Sequence, residues 1–138
     1  MGDFIEKMAT RIILQHVRHN PQENINRELQ WLGSSLGLFN LRDKDSSCFR
    51  VFITLVKKSK RDETLSSDDI AEQLHLSRGT VVHHLTKLMN SGIVVREKEG
   101  YLLRENTLRQ VIQDMRQEME RMFAEMETVA KEIDERMG

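Results

Sequence analysis

The sequence predicts a mainly α-helical chain with one small β element, and three observations carry that prediction. Charged residues make up 31% of the 138 and aromatics only 5%, with a single proline, a balance that suits helices better than a β-sandwich. Residues 66–92, SSDDIAEQLHLSRGTVVHHLTKLMNSG, read as two short helices joined by a tight turn. From Leu108 to Ile133, apolar side chains recur at alternating intervals of four and three with no glycine or proline between them. A chain of this length holds one small domain with extensions. The expected division is an N-terminal helical hairpin over 1–44, a helix-turn-helix domain with a β hairpin over 45–104, and a long helix over 105–138.

The first segment starts with Asp3 and Glu6 as a capping-box-like pair, followed by Ile5, Met8, Ile12, Ile13 and Val17 at helical spacing. His16 and His19 could share a metal, but no carboxylate or thiol partner stands at suitable spacing. They are expected as surface histidines in the last turn, and no metal site is assigned. Asn20-Pro21-Gln22-Glu23 reads as a restart, with Asn20 as N-cap, Pro21 at the first helical position and Glu23 reaching back to the cap. Ile25, Leu29, Leu32 and Leu36 repeat at intervals of four, three and four. Trp31 lies off that line, at the edge of an expected interface, and Gly33 and Gly37 weaken the helix end. A hairpin of about forty residues is too small to stand alone, so it must pack on the next domain or on a second subunit.

Residues 41–47, LRDKDSS, form a charged connector in which Asp45 or Ser46 can cap a helix running to about Lys58. Phe49, Phe52, Ile53 and Val56 fall on one face. Cys48 is the single cysteine, which excludes an intrachain disulfide and fits a reducing compartment. Beside Phe49 it reads as a small buried hydrophobe rather than a reactive thiol. The helix ends in Lys57, Lys58, Lys60 and Arg61, for which two readings stand. They complement the helix dipole, or they form a phosphate-contacting edge.

Ser66 with Asp69 gives another capping box, and Ile70, Ala71 and Leu74 form the buried stripe of a two-turn helix. His75 and Leu76 make the turn, and Ser77 caps the second helix. With Val81 at the centre of the buried face, Leu85 and Leu88 fall within about 40° of it. Gly79, His83, Thr86 and Asn90 then point outward, Thr80, Val82 and Lys87 flank them, and Arg78 occupies the exposed first turn. This outer face has no acid. It offers hydroxyls, an imidazole, cations and a valine able to meet a thymine methyl, and Gly79 permits close backbone approach. Asp68 and Asp69 complement the dipole of the first helix.

Gly92 reads as a helix stop, followed by a β-branched strand through Ile93, Val94, Val95 and Arg96. Lys98, Glu99 and Gly100 make a turn, and residues 101–104 return as a second strand. Helix, helix-turn-helix, hairpin is the winged-helix order, and its wing would present Arg96, Lys98, Tyr101 and Arg104 to the backbone or minor groove. The net charge of −1 conceals an asymmetry. Residues 1–45 are balanced, residues 46–104 carry ten basic and seven acidic groups, and residues 105–138 carry five basic and nine acidic. The positive excess lies with the helix-turn-helix, as a local polyanion-binding face requires.

The run LSRGTVVHHLTKL, followed after two residues by SGIVVRE, resembles the recognition helix and the start of the wing in ArsR/MarR-like prokaryotic transcription regulators, archaeal ones above all. The likeness covers roughly residues 48–104. It implies sequence-specific binding of double-stranded DNA by a homodimer, with residues 77–87 entering the major groove. It singles out Arg78, Thr80, His83 and Lys87 as groove-facing and His84 as partly buried. The metal-sensing cysteine motif of many ArsR proteins is absent, since Cys48 stands alone, and no cofactor is expected.

In the C-terminal heptads Ile112, Met119, Met126 and Ile133 occupy a, and Leu108, Met115, Met122 and Val129 occupy d. The helix would span about 45 Å, too far to bury its stripe on a domain of this size, so a second copy is the expected partner. Val111, Phe123 and Ala130 widen the stripe, and the N-terminal hairpin could cover them. The methionines read as adaptable packing. No enzyme is expected, since there is neither a phosphate-binding glycine loop nor an H-E-x-x-H motif. No apolar run reaches transmembrane length and the N-terminus lacks a signal-peptide core, so a cytoplasmic protein is expected. The alternative is a winged-helix interaction module in a transcription or chromatin assembly, which would tolerate acids on the outer face of residues 78–87.

Overall fold

A computed structural model describes residues 13–21, 23–39, 46–98 and 100–138. Within them the elements run α1 (Ile25–Ser35), α2 (Ser47–Ser59), α3 (Ser67–Leu74), α4 (Arg78–Asn90), β1 (Val94–Glu97), β2 (Gly100–Leu103) and α5 (Leu108–Met137). The protein is mainly helical with a two-stranded antiparallel wing and a long C-terminal helix, the winged-helix arrangement. Among the described residues no helix is long and apolar enough to cross a membrane.

The core is assembled around α2. Cys48, Val51, Phe52, Leu55 and Val56 are buried there against Ile70 of α3, Val81, Leu85 and Leu88 of α4, and Leu103 of β2. The buried face is rotated from the expected one. Phe52 and Val56 lie on it, but Phe49 and Ile53 are half-buried, while Val51 and Leu55 are fully enclosed. The reason is tertiary: α2 is covered by α4 on one side and β2 on the other, so its apolar arc is wider than a one-sided stripe. Cys48 is a core residue, its thiol 3.3 Å from the Leu38 carbonyl oxygen. Ser59 is also buried, and its hydroxyl accepts from the Leu103 backbone N–H at 2.9 Å.

β1 pairs with β2 in the register Val94 to Leu103 and Arg96 to Tyr101. Leu65, just before α3, adds a bridge that the sequence reading missed. Its N–H donates to the Tyr101 carbonyl at 3.2 Å, and the Tyr101 N–H returns to the Leu65 carbonyl at 2.8 Å. The wing is therefore docked on the domain by backbone bonds as well as by apolar contact.

The N-terminal region departs from expectation. Residues 13–19, read as the end of a helix, and Asn20 and Pro21, read as the start of the next, have no regular secondary structure. Their polar groups find partners on α1 instead. The Gln15 N–H donates to the Ser35 carbonyl at 2.8 Å, and the Trp31 indole N–H donates to the Val17 carbonyl at 3.0 Å. The His19 ring lies 4.4 Å from the Trp31 ring, tilted by 48°, and bonds Glu28 at 2.8 Å. These tertiary partners override the local apolar spacing. α1 also starts later than Asn20 and Pro21 suggest, because Asn24 supplies the cap, its side chain accepting from the Asn26 N–H at 2.9 Å. The expected cap at Asp3 and Glu6, the apolar residues up to Ile12, most of the 41–47 connector including Asp45, and Glu99 lie outside the described residues.

α5 begins inside the domain. Val111 is fully buried and Met115 is 4% exposed, while Leu108 and Ile112 pack half-buried against the same core. The core thus extends past the boundary expected at residue 104. Met115, placed in the intermolecular seam by its heptad position, is spent on this core, because a heptad pattern does not distinguish a partner helix from the helix's own domain. Arg104 fixes the junction: its guanidinium bonds the Glu118 carboxylate, lies 3.6 Å from Asp114, and donates to the Gly92 carbonyl at 3.3 Å.

Candidate nucleic-acid interface

α3 and α4 are each opened by a serine. The Ser66 hydroxyl accepts from the Asp69 N–H at 3.0 Å, and the Ser77 hydroxyl accepts from the Thr80 N–H at 3.1 Å. The turn between them bends at His75, whose left-handed backbone (φ 55°) lets the Leu76 N–H reach the Ala71 carbonyl. α4 closes in a Schellman motif at Gly92 (φ 79°): Ile93 N–H to Leu88 carbonyl, Gly92 N–H to Met89 carbonyl, with Ile93 and Leu88 both buried. Arg50 of α2 donates to the Leu74 carbonyl and ties the end of α3 to the core. These bonds hold α4 with Val81, Leu85 and Leu88 inward and, among the described residues, its other side uncovered.

That free side carries most of the residues expected on it. Arg78, Gly79, Val82, His83, Thr86 and Asn90 are exposed. Among the described residues nothing lies within 4 Å of where a Gly79 Cβ would be, so the backbone there is open to a close approach. Thr80 is half-buried and its hydroxyl accepts from the Ser77 hydroxyl at 2.8 Å. Arg78 is 73% exposed and sits 3.4 Å from Asp68 of α3. The helical wheel of α4 alone has no acid, but the fold brings one to its first turn. So exposed a pair is weak and leaves the guanidinium available to exchange partners.

Four other placements differ from those expected. Lys87 is half-buried, and its ammonium donates to the Leu38 carbonyl at 2.9 Å, so it braces α4 against the loop after α1 rather than facing outward freely. Tyr101 is 9% exposed, because its strand position faces the core side of the wing. Its ring supports Arg96, the cross-strand neighbour, whose guanidinium lies 5.6 Å from the ring centroid. Arg104 faces the α5 junction, not the outside. Lys58 is engaged with Glu63 at 3.2 Å, whereas Lys57 and Lys60 are exposed. Lys98 is exposed at the wing turn (φ 50°). His84 is half-buried, its ring 2.6 Å from the Ser47 hydroxyl, in keeping with the structural role the resemblance implied.

The exposed set is suited to a polyanion with readable edges. Arg78 offers a planar guanidinium fork, His83 and Thr86 offer hydrogen-bonding groups, and Val82 offers an apolar surface. Arg96, Lys98, Lys57 and Lys60 add cations on the wing and at the end of α2. Residues 59–95, which span the end of α2, α3, α4 and the first part of β1, match the family model described as HTH_5, bacterial regulatory protein, arsR family. No curated protein and no solved structure matches the chain. The matched segment and the exposed side of α4 coincide and support a DNA-binding transcription regulator.

Proposed function

We propose that this protein is a sequence-specific, double-stranded-DNA-binding transcription regulator that acts in the cytoplasm as a homodimer. The observation that carries the reading is the exposed side of α4, held outward by two caps and a buried stripe, within a segment similar to arsR-family regulators. Arg78, Gly79, Val82, His83 and Thr86 approach base edges in the major groove, and the first-turn N–H groups of α4 favour phosphate. Lys57, Lys60, Arg96 and Lys98 contact phosphate and set affinity.

The homodimer reading rests on α5. Met122, Phe123, Met126, Val129 and Ile133 are 36–57% exposed along its outer half, a continuous apolar seam of the kind that helices bury against a second helix. Met119 leads into that seam from an apolar hollow of about 380 Å³ lined also by Leu14, Leu36 and Ile112. Pairing two copies would hold two α4 helices at half-sites separated by about one DNA turn, roughly 34–36 Å.

The test combines mass with binding. Sedimentation of the full chain is expected to give a dimer, and Met126→Glu with Ile133→Glu a folded monomer with weaker duplex binding. Duplex binding should fall steeply with salt. A full chain that retains no duplex at low salt, but holds a protein partner at high salt, would replace this reading with that of an assembly module.

A further inference from the structure

The outer half of α5 carries more apolar surface than one seam uses. A two-stranded coil buries the a and d rows, here Met119, Met126 and Ile133 with Met122 and Val129. Phe123, Ala130 and Met137 form a further row at position e, and they are exposed, Phe123 by 57% and Met137 by 84%. A small residue between two large ones leaves a dent in this side, and a hollow of about 360 Å³ is lined by Met126, Val129, Ala130 and Ile133. On a helical wheel the apolar arc reaches about 60° to each side of Met126. Carboxylates stand beyond it on both flanks, Glu127 and Asp134 on the side of Phe123, Glu125 and Glu132 on the other. All four are exposed. The cations of this half lie elsewhere, Arg121 and Lys131 on the back of the helix and Arg136 in its last turn. Glu118 and Glu120, nearer the domain, are engaged by Arg104 and Arg116.

We infer that this e row is a docking strip for a lysine- or arginine-rich amphipathic helix of another protein, its apolar side on Phe123, Ala130 and Met137 and its cations on the flanking carboxylates. The strip rests on the homodimer reading for the coil that presents it, and goes beyond that reading in the partner it takes. Parallel pairing keeps the two g rows, each with Glu125 and Glu132, on opposite sides of the coil, whereas antiparallel pairing would set them face to face. In the parallel coil the e row of one copy adjoins the g row of the other. The strip then has Glu127 and Asp134 along one border and Glu125 and Glu132 of the second copy along the other. These borders select the occupant. A third copy of α5 brings its own flanking acids against them, and like charges across a helix pair oppose association. A basic amphipathic helix buries the apolar row and meets opposite charge on both borders.

The probes are two fluorescein-labelled synthetic peptides of three heptads with leucine at a and d, one with lysine and one with glutamate at the flanking positions. Each is titrated into the full chain without DNA at low salt. Saturable anisotropy is expected for the lysine peptide, about tenfold or more tighter than for the glutamate peptide and weakening with salt. Sedimentation should show the lysine peptide travelling with an intact dimer. Phe123→Gln, and separately Glu127→Gln with Asp134→Asn, should each weaken the lysine peptide by about tenfold while the mass of the free chain stays the same. The second variant alters only exposed carboxylates, so it keeps the test valid if Phe123→Gln disturbs the contacts near the domain. No saturable binding, equal binding of the two peptides, binding indifferent to both variants, or a complex that splits the dimer overturns the strip. So does a full chain that sediments alone as a tetramer, in which further copies cover the row. A full chain that sediments as a monomer, yet binds the lysine peptide with sensitivity to both variants, counts against the homodimer reading alone.

Discussion

Ser77 and Arg78 divide the labour at the start of α4. Ser77 satisfies the Thr80 N–H and donates its own proton to the Thr80 hydroxyl, so it serves the helix rather than a ligand. Ser77→Ala is expected to lower stability by about 1 kcal/mol, read as a shift of the urea midpoint at constant slope. Arg78 has no such structural duty, since its partner Asp68 is equally exposed. Arg78→Ala should therefore leave the urea midpoint in place and flatten the preference among duplex sequences. Lys60→Ala, at an exposed cation, should instead weaken all duplexes alike and reduce the slope of log affinity against log salt by about one. Lys58 suits that role less well, because Glu63 already engages it. Equal effects of the two substitutions on every sequence would count against base reading by Arg78.

The junction between β2 and α5 is the element where charge matters most. Arg104 bonds Glu118 and neighbours Asp114, and its guanidinium is held above its ordinary pKa chiefly by the Glu118 hydrogen bond. Three acids share this one arginine. Asp114 pushes the Glu105 carboxyl above the usual glutamate range, by hydrogen bonding first and by charge second. A carboxyl whose folded pKa is raised favours the protonated folded state. Its contribution is fully present below the unfolded value and is lost as pH rises through the folded value. Glu105→Gln should remove that loss. The wild-type minus variant difference in unfolding midpoint should grow more unfavourable to wild type as pH rises out of the glutamate range, and then level off. A difference independent of pH would sink the account of a raised Glu105 carboxyl.

For the whole molecule, the question is where the domain ends. The heptad pattern puts the boundary at residue 104, but the core takes Val111 and Met115 from α5. A chain ending at residue 118 is therefore expected to unfold cooperatively near the wild-type monomer midpoint. A chain ending at residue 104 loses two buried apolar side chains and exposes the core beneath them, a cost of several kcal/mol. Circular dichroism melts of the two truncations separate these outcomes, and similar melts for both would restore the boundary at 104. Mass measurements on the 118-residue chain then ask whether the outer half of α5 alone carries self-association.

The features legible along the chain are those carried by local residue type and spacing: the serine caps of α3 and α4, the turn at His75, the stop at Gly92, the β-branched first strand of the wing and the heptad run. Capping and periodicity are local, so a string of residues contains them. The exposed side of α4 followed from the same arithmetic. What needed the folded chain are contacts between distant positions. Lys87 is turned to Leu38 across 49 residues and His84 to Ser47 across 37, while Arg78 meets Asp68, Leu65 bridges Tyr101, and the stretch at 13–21 bonds to α1 instead of coiling. Of these, Lys87 is turned from the outside to a structural partner, while Arg78 stays 73% exposed beside Asp68. No local rule specifies that partner, because it is chosen by which surfaces the packed helices bring together.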